Sequence, residues 1–166
     1  MTNQGNSAAS RDIANYLHPY TNLRAHEKSG PLVITRGEGV RVFDDSGNGY
    51  IEGMAGLWCT SLGFGEERLV EAAVAQMRKL PFYHGFGGKV PDIGIELAER
   101  LINLAPCPMS KVFFANSGSE AIDTAIKLTR YFNNAKGRPE KKKLISRTKA
   151  YHGVTLAAAS LTRLPI

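Results

Sequence analysis

"FFANSGSEAIDTA", residues 113–125, joins a β-rich run to a helix-forming run through four small polar residues. Phe113 and Phe114 close the run "KVFFA", which predicts a strand. Asn116, Ser117, Gly118 and Ser119 form the turn, and the helix starts at Glu120. Such a junction is an anion seat. The first N–H groups of a helix lack internal partners, and the helix dipole gives them partial positive charge. Ser117 and Ser119 add hydroxyls. Gly118 admits a bulky dianion to the backbone, and no acid precedes Glu120 in the turn. The stretch therefore suits a phosphate. Taken alone, "SGSE" equally suits a plain helix cap, with Ser119 as the capping residue.

On either side the hydrophobic period sorts the chain into two kinds of structure. Residues 1–30 are polar, with a short helix expected within "RDIANYLHPYTNL" that stops before Pro19. Val33–Thr35, Val40–Phe43 and Tyr50-Ile51, punctuated by "GEG" and "DDSGNG", predict an antiparallel meander. In "EERLVEAAVAQMRK", residues 66–79, Leu69, Val70, Ala73, Val74 and Met77 share one helical stripe. Pro91 opens another helix, with Ile93, Leu97, Leu101 and Ile102 on one face, and Pro106 and Pro108 end it. "KVFFA", the helix of residues 120–135 and the run "KKLISRTKA" then give strand, helix, strand. From residue 91 onward the order is α/β, most simply a parallel sheet with crossover helices. Two such strands cannot bury both faces of a sheet, so the chain reads as the front part of a larger protein.

The 166 residues are 43% hydrophobic and 22% charged, a globular composition. No apolar run approaches a membrane span, and the N-terminus shows no signal-peptide pattern. Cys59 and Cys107 have no paired spacing, which suggests neither a metal site nor a disulfide framework and fits a reducing cytoplasm. The net charge is +6. Its densest run, "KGRPEKKK" at 136–143, contains Pro and Glu and lies between predicted elements. It reads as a solvated connection, and neither nucleic acid nor membrane is expected as a partner.

Two further stretches bear on chemistry. "AYHG", residues 150–153, ends the strand after the "NSGS" helix. Ligands of doubly wound sheets gather at the carboxyl ends of strands, so both turns can flank one crevice. Tyr151 offers an aromatic plate there or simply packs, and His152 reads as a hydrogen-bonded structural residue. "GMAGLWC", residues 53–59, sets Leu57 and Trp58 in a glycine-rich loop. Phe82, Tyr83 and Phe86 occupy another loop, and Tyr20 lies near the N-terminus. These aromatics line a pocket or an interface, or anchor their loops in the core. The P-loop pattern is absent: in "GFGGKV", residues 85–90, the position five before Gly88 is Tyr83, and Val90 follows the lysine.

Together "YLHPYT", "GEGVRVFDDSGNGYIEGMAGLWC", "LPFYHGF", "NSGSEAIDTAIKL", "GRPEKKKLISR" and "YHG" resemble the class III aminotransferases, which use pyridoxal 5'-phosphate. The resemblance runs through nearly the whole chain and leans toward the pyruvate-dependent omega-aminotransferases. It implies fold type I: a large parallel-sheet cofactor domain and a small domain that includes the N-terminal meander, in a homodimer with active sites at the interface. Residues 1–60 would belong to the small domain and 61–166 to the cofactor domain. Ser117, Gly118 and Ser119 would hold the cofactor phosphate and Tyr151 would stack on its ring. Tyr20, Leu57, Trp58 and Phe86 would shape the substrate pocket, Phe86 reaching toward the neighbouring subunit's site. Glu120 and His152 would give support. The implied reaction moves an amino group from an omega-amino acid or amine to a keto acid such as pyruvate. The family's Schiff-base lysine, the aspartate that pairs with the ring nitrogen and the carboxylate-reading arginine are expected beyond Ile166. No catalytic residue is therefore assigned here, and Lys149 does not match the lysine motif. An aminomutase or decarboxylase of the same fold is one alternative. A non-catalytic fragment that binds a partner or a phosphorylated ligand is another.

Overall fold

The computed structural model describes residues 5–164. Its contacts gather into two compact units, one ending at Tyr83 and the other starting at His84. The outer ends of the two expected domain spans, residues 1–4 and 165–166, lie outside the described residues.

The first unit opens with α1, Ala8–Asn15, where the Ser7 side chain accepts a hydrogen bond from the Ser10 N–H at 3.1 Å. The helix ends ahead of Pro19, as expected. A second helix, α2 (Leu23–Ser29), goes beyond the sequence reading; Asn22 starts it by accepting from the Ala25 N–H at 3.1 Å. Asp12 on α1 takes hydrogen bonds from His18 and His26. Desolvation raises the pKa of that carboxyl, but the bonds from His26 and His18 outweigh it and hold the group below its usual range.

The meander forms as predicted: β1 (Ile34–Glu38), β2 (Arg41–Asp44) and β3 (Gly49–Ile51), antiparallel in chain order. Val42, one of its few buried residues, pairs with Gly37 on one side and Tyr50 on the other. Asp44 is the hub of the β2–β3 turn. Its carboxylate accepts from the Ser46 and Asn48 N–H groups, the Asn48 side-chain amide and the Tyr50 hydroxyl, all at 2.8–3.0 Å. The Asn48 side chain above all holds the Asp44 carboxyl below the ordinary range, with desolvation opposing. The Tyr50 hydroxyl's own hydrogen bond to Asp44 raises its pKa. Phe64 clips the following loop back onto the sheet. It exchanges two backbone hydrogen bonds with Gly39, at 2.7 and 2.9 Å, and its ring lies so close to Gly37 that a Cβ there would sit 2.5 Å from it. Helix α3, Glu67–Lys79, closes the unit with the predicted stripe, of which Leu69, Val70 and Met77 remain exposed.

The second unit holds α4 (Asp92–Leu104), α5 (Gly118–Ala135) and a short α6 (Leu156–Leu161). The two predicted strands do not form here. Among the described residues, 111–115 make no backbone ladder. In the other segment the Lys149 N–H donates to the Arg163 carbonyl at 2.9 Å and the Arg163 N–H to the Ala150 carbonyl at 2.8 Å, while the Ala150 N–H closes a turn on the Arg147 carbonyl at 3.3 Å. A parallel strand exists by virtue of its neighbours' N–H and C=O groups, and these two segments do not pair with each other. The packing that does form lies between α5 and α6, where Ala158 is fully buried.

Candidate active site

The stretch expected to seat an anion forms the start of α5. Ser117, not Ser119, is the cap: its backbone is extended (φ −152°, ψ 159°), and its Oγ accepts from the Glu120 N–H at 3.2 Å. The Ser117 carbonyl accepts from the Ala121 N–H at 3.0 Å. Glu120 turns its carboxylate back to accept from the Asn116 N–H at 3.0 Å. This is a capping box displaced by one residue, and its Ser-x-x-Glu spacing was present in the sequence. It leaves the N–H groups of Gly118 and Ser119 without an acceptor among the described residues.

Ser119 does a different job. Its Oγ accepts from the Val154 N–H at 3.0 Å, so the turn after "AYHG" is fastened to the helix start. Gly153 makes this contact possible. Its φ is +131°, and a Cβ there would lie 2.5 Å from Ser119 Oγ and 2.9 Å from the Ala158 methyl. One turn further along α5, Asp123 Oδ1 accepts from the Thr155 hydroxyl at 2.9 Å and from the Ala158 N–H at 3.0 Å. It thereby caps α6 from a neighbouring helix. Sequence reasoning missed Asp123; its position four residues after Ser119, on the same helical face, was the available signal.

"NSGS" and "AYHG" thus meet, as the sequence predicted, although no strand carries them. Tyr151 stands two residues before Gly153 with its ring exposed. The His152 N–H donates to the Thr162 hydroxyl at 3.0 Å, which in turn donates to the Gly153 carbonyl. Lys149 lies in a left-handed turn (φ +63°), so the strand alternation that would align it with Tyr151 is broken. In the same unit Phe86 borders a cleft of about 480 Å³ with Phe113, Phe114, Asn116, Glu120 and Lys127. This brings Phe86 to the Asn116 side of the seat.

The other three pocket candidates lie in the first unit and share an unusual backbone. Tyr20 has φ +55°. Ala55, Gly56, Leu57 and Trp58 have φ of +48°, +59°, +58° and +71°, one turn of left-handed helix. The Trp58 N–H donates to the Met54 carbonyl at 2.8 Å, and the Cys59 N–H to Ala55 at 3.0 Å. Each non-glycine residue in this conformation costs about 1–2 kcal/mol. The Gly39–Phe64 clip and the Met54 N–H bond to Glu52 hold the turn in place. Leu57 and Trp58 are held out and exposed by it. Strain stored at side chains that are presented rather than packed is a signature of functional loops.

The family model "Aminotransferase class-III" matches residues 23–165. The chain belongs to the class III aminotransferases. This family uses pyridoxal 5'-phosphate. The chain is 54% identical over 136 residues to the probable gamma-aminobutyrate transaminase 2, mitochondrial, of Oryza sativa subsp. indica, covering 81% of this chain and 27% of that protein. Among solved structures it matches the omega transaminase of Pseudomonas jessenii in complex with PMP, at 60% identity and TM-score 0.94, over 96% of this chain and 35% of that one. A tryptophan-to-glycine variant of a thermostable omega transaminase, engineered for asymmetric synthesis of enantiopure bulky amines, matches at the same identity, coverage and TM-score. The fold is therefore the α/β fold of these transaminases, and the chain spans about a third or less of their length.

Proposed function

We propose that the complete protein moves an amino group from an omega-amino acid or amine to a keto acid such as pyruvate, and that this chain supplies the phosphate seat and part of the substrate wall. The reading is carried by the two acceptor-free N–H groups of Gly118 and Ser119 at the positive end of an 18-residue helix. The phosphate of the cofactor fits them. Nothing lies within 4 Å of where a Cβ on Gly118 would be, and Ser117 and Ser119, each already accepting one N–H, keep a hydroxyl proton to donate. Bound there, the cofactor supplies the electron sink for the bond broken at the donor's amine-bearing carbon.

Tyr151 provides the ring face, with Glu120 and His152 in support. Tyr20, Leu57, Trp58 and Phe86 form the apolar wall, and the engineered relative supports Trp58 as the filter for donor size. We assign the covalent lysine to the part of the enzyme this chain does not span, and residues 1–60 and 61–166 to its small and cofactor domains. A homodimer with shared active sites suits the family, and a reducing cytoplasm suits the two exposed free thiols, Cys59 and Cys107.

The test supplies the complete protein with cofactor, pyruvate and, in turn, β-alanine, 4-aminobutyrate and putrescine, and measures alanine. Gly118→Asp sets a carboxylate among the open amides and is expected to lower cofactor affinity at least about tenfold. Unchanged affinity in that variant removes the phosphate from this seat. No alanine from any donor removes the reaction.

A further inference from the structure

The N-terminal segment contains a cluster that the aminotransferase reading does not use. Asp12 lies on α1, His18 in the turn after it and His26 on α2. The Nε2 atom of His18 is 2.9 Å from Asp12 Oδ1 and 3.0 Å from Oδ2; that of His26 is 2.8 Å from Oδ2. All three donor atoms lie within 4.8 Å of one another. We propose that Asp12, His18 and His26 bind a divalent transition-metal cation of the Zn²⁺, Co²⁺ or Ni²⁺ class, which joins α1 to α2.

Four observations support this. First, one imidazole would be enough to fix the turn by a hydrogen bond, yet two converge on one carboxylate through the same ring nitrogen. Their ring centroids are 4.4 Å apart. Second, the spacing suits coordination. A tetrahedral cation with ligand bonds of about 2.0–2.2 Å separates its donor atoms by roughly 3.3–3.6 Å, so the N···O distances of 2.8–3.0 Å widen by about half an ångström on binding, within a cluster whose donor atoms all lie within 4.8 Å. Third, the side chains of His18, Asp12 and His26 are 27%, 18% and 12% exposed. They are partly sheltered, and that exposure leaves a cation a way in. Fourth, two imidazoles and one carboxylate are a borderline donor set, which selects these metals over Mg²⁺ and Ca²⁺. Binding replaces the N–H···O hydrogen bonds: each coordinating Nε2 offers its lone pair to the cation and gives up its proton, to Nδ1 or to solvent, while the carboxylate stays ionised. The chelate closes a loop with Pro19 and Tyr20 near its tip.

The test titrates Co²⁺ into the tag-free chain and follows its visible absorption and the NMR signals of the histidine rings. The expected result is one Co²⁺ per chain, with the His18 and His26 ring protons broadened and those of His84 and His152 sharp. His26→Gln and Asp12→Asn should each weaken binding at least about tenfold, while His84→Gln leaves it unchanged. The broadening is read on the unsubstituted chain, so it stands even if a variant misfolds. Parent-like binding by both variants, broadening centred on His84 or His152, or no uptake of Co²⁺ overturns the proposal.

Discussion

Residues 34–51 and the pair of segments 111–115 and 143–147 both carry β-branched and aromatic residues, but only the first group pairs. The meander needs partners only three to ten residues away. Its turns bring them together, and Asp44 ties the second turn with four hydrogen bonds. The later segments are separated by the whole of α5, and their ladders require strands from elsewhere in the sheet. Their surroundings are instead organised by helix ends: Ser117 caps α5, Asp123 caps α6, and Ser119 holds the turn after Tyr151. The start of α5 is thus organised locally, by short side chains at helix ends, whereas parallel strands need long-range partners.

The largest expected effect tests the helix-end half of that contrast. Gly153→Val forces a side chain into Ser119 Oγ and Ala158 at a φ few side chains adopt. Overpacking and backbone strain together should cost about 2–5 kcal/mol. Hydrogen exchange at the Val154 amide is the readout: it should lose its protection while the meander amides keep theirs. Equal protection in the variant would show that the Ser119 contact does not organise the turn.

A smaller effect tests the meander. The Asp44 carboxyl is held below its ordinary range in the folded chain, so the stability it confers is fully present above the unfolded pKa of about 4. That stability is lost as pH falls through the lower folded value. Asp44→Asn removes the ionised acceptor. The thermal midpoint should then drop at neutral pH and depend less on pH between about 5 and 2 than that of the parent. A variant whose acid limb matches the parent's assigns that pH dependence to other carboxylates.

What the sequence disclosed follows the same division. Helices with a stripe, Glu67–Lys79 and Asp92–Leu104, and strands bounded by glycine turns were legible because their signals are periodic and local. The helix start was legible because a run of small polar residues precedes it, although the cap is Ser117 and not Ser119, as the Ser-x-x-Glu spacing allows. Three features were not. Asp12, His18 and His26 meet only after two helices fold back on each other. Asp123 looks like any helix-surface acid until α6 arrives. "AGLW" reads as part of a glycine-rich loop, and nothing local except Gly56 hints at the left-handed turn.

Asp123→Ala comes next in size. It removes the acceptor for the Ala158 N–H and the Thr155 hydroxyl, a lost cap worth about 1 kcal/mol. Only α6 amides should exchange faster; faster exchange along the whole of α5 would mean that Asp123 stabilises its own helix instead.

The smallest expected effect has the opposite sign. Leu57 occupies the left-handed turn at φ +58°, a conformation that glycine adopts without steric cost. Leu57→Gly therefore relieves strain, and since the side chain is exposed, little packing is lost with it. Glycine's greater freedom in the unfolded chain takes back part of the gain. The balance should be a stabilisation of about 0.5–1 kcal/mol, read as a higher thermal midpoint. In the complete enzyme the same change should alter the preference among amine donors, because the side chain removed is the one the turn holds out. A lower midpoint would mean that Leu57 packs more tightly than its exposure indicates, and the strained turn would then be a structural anchor rather than a presented wall.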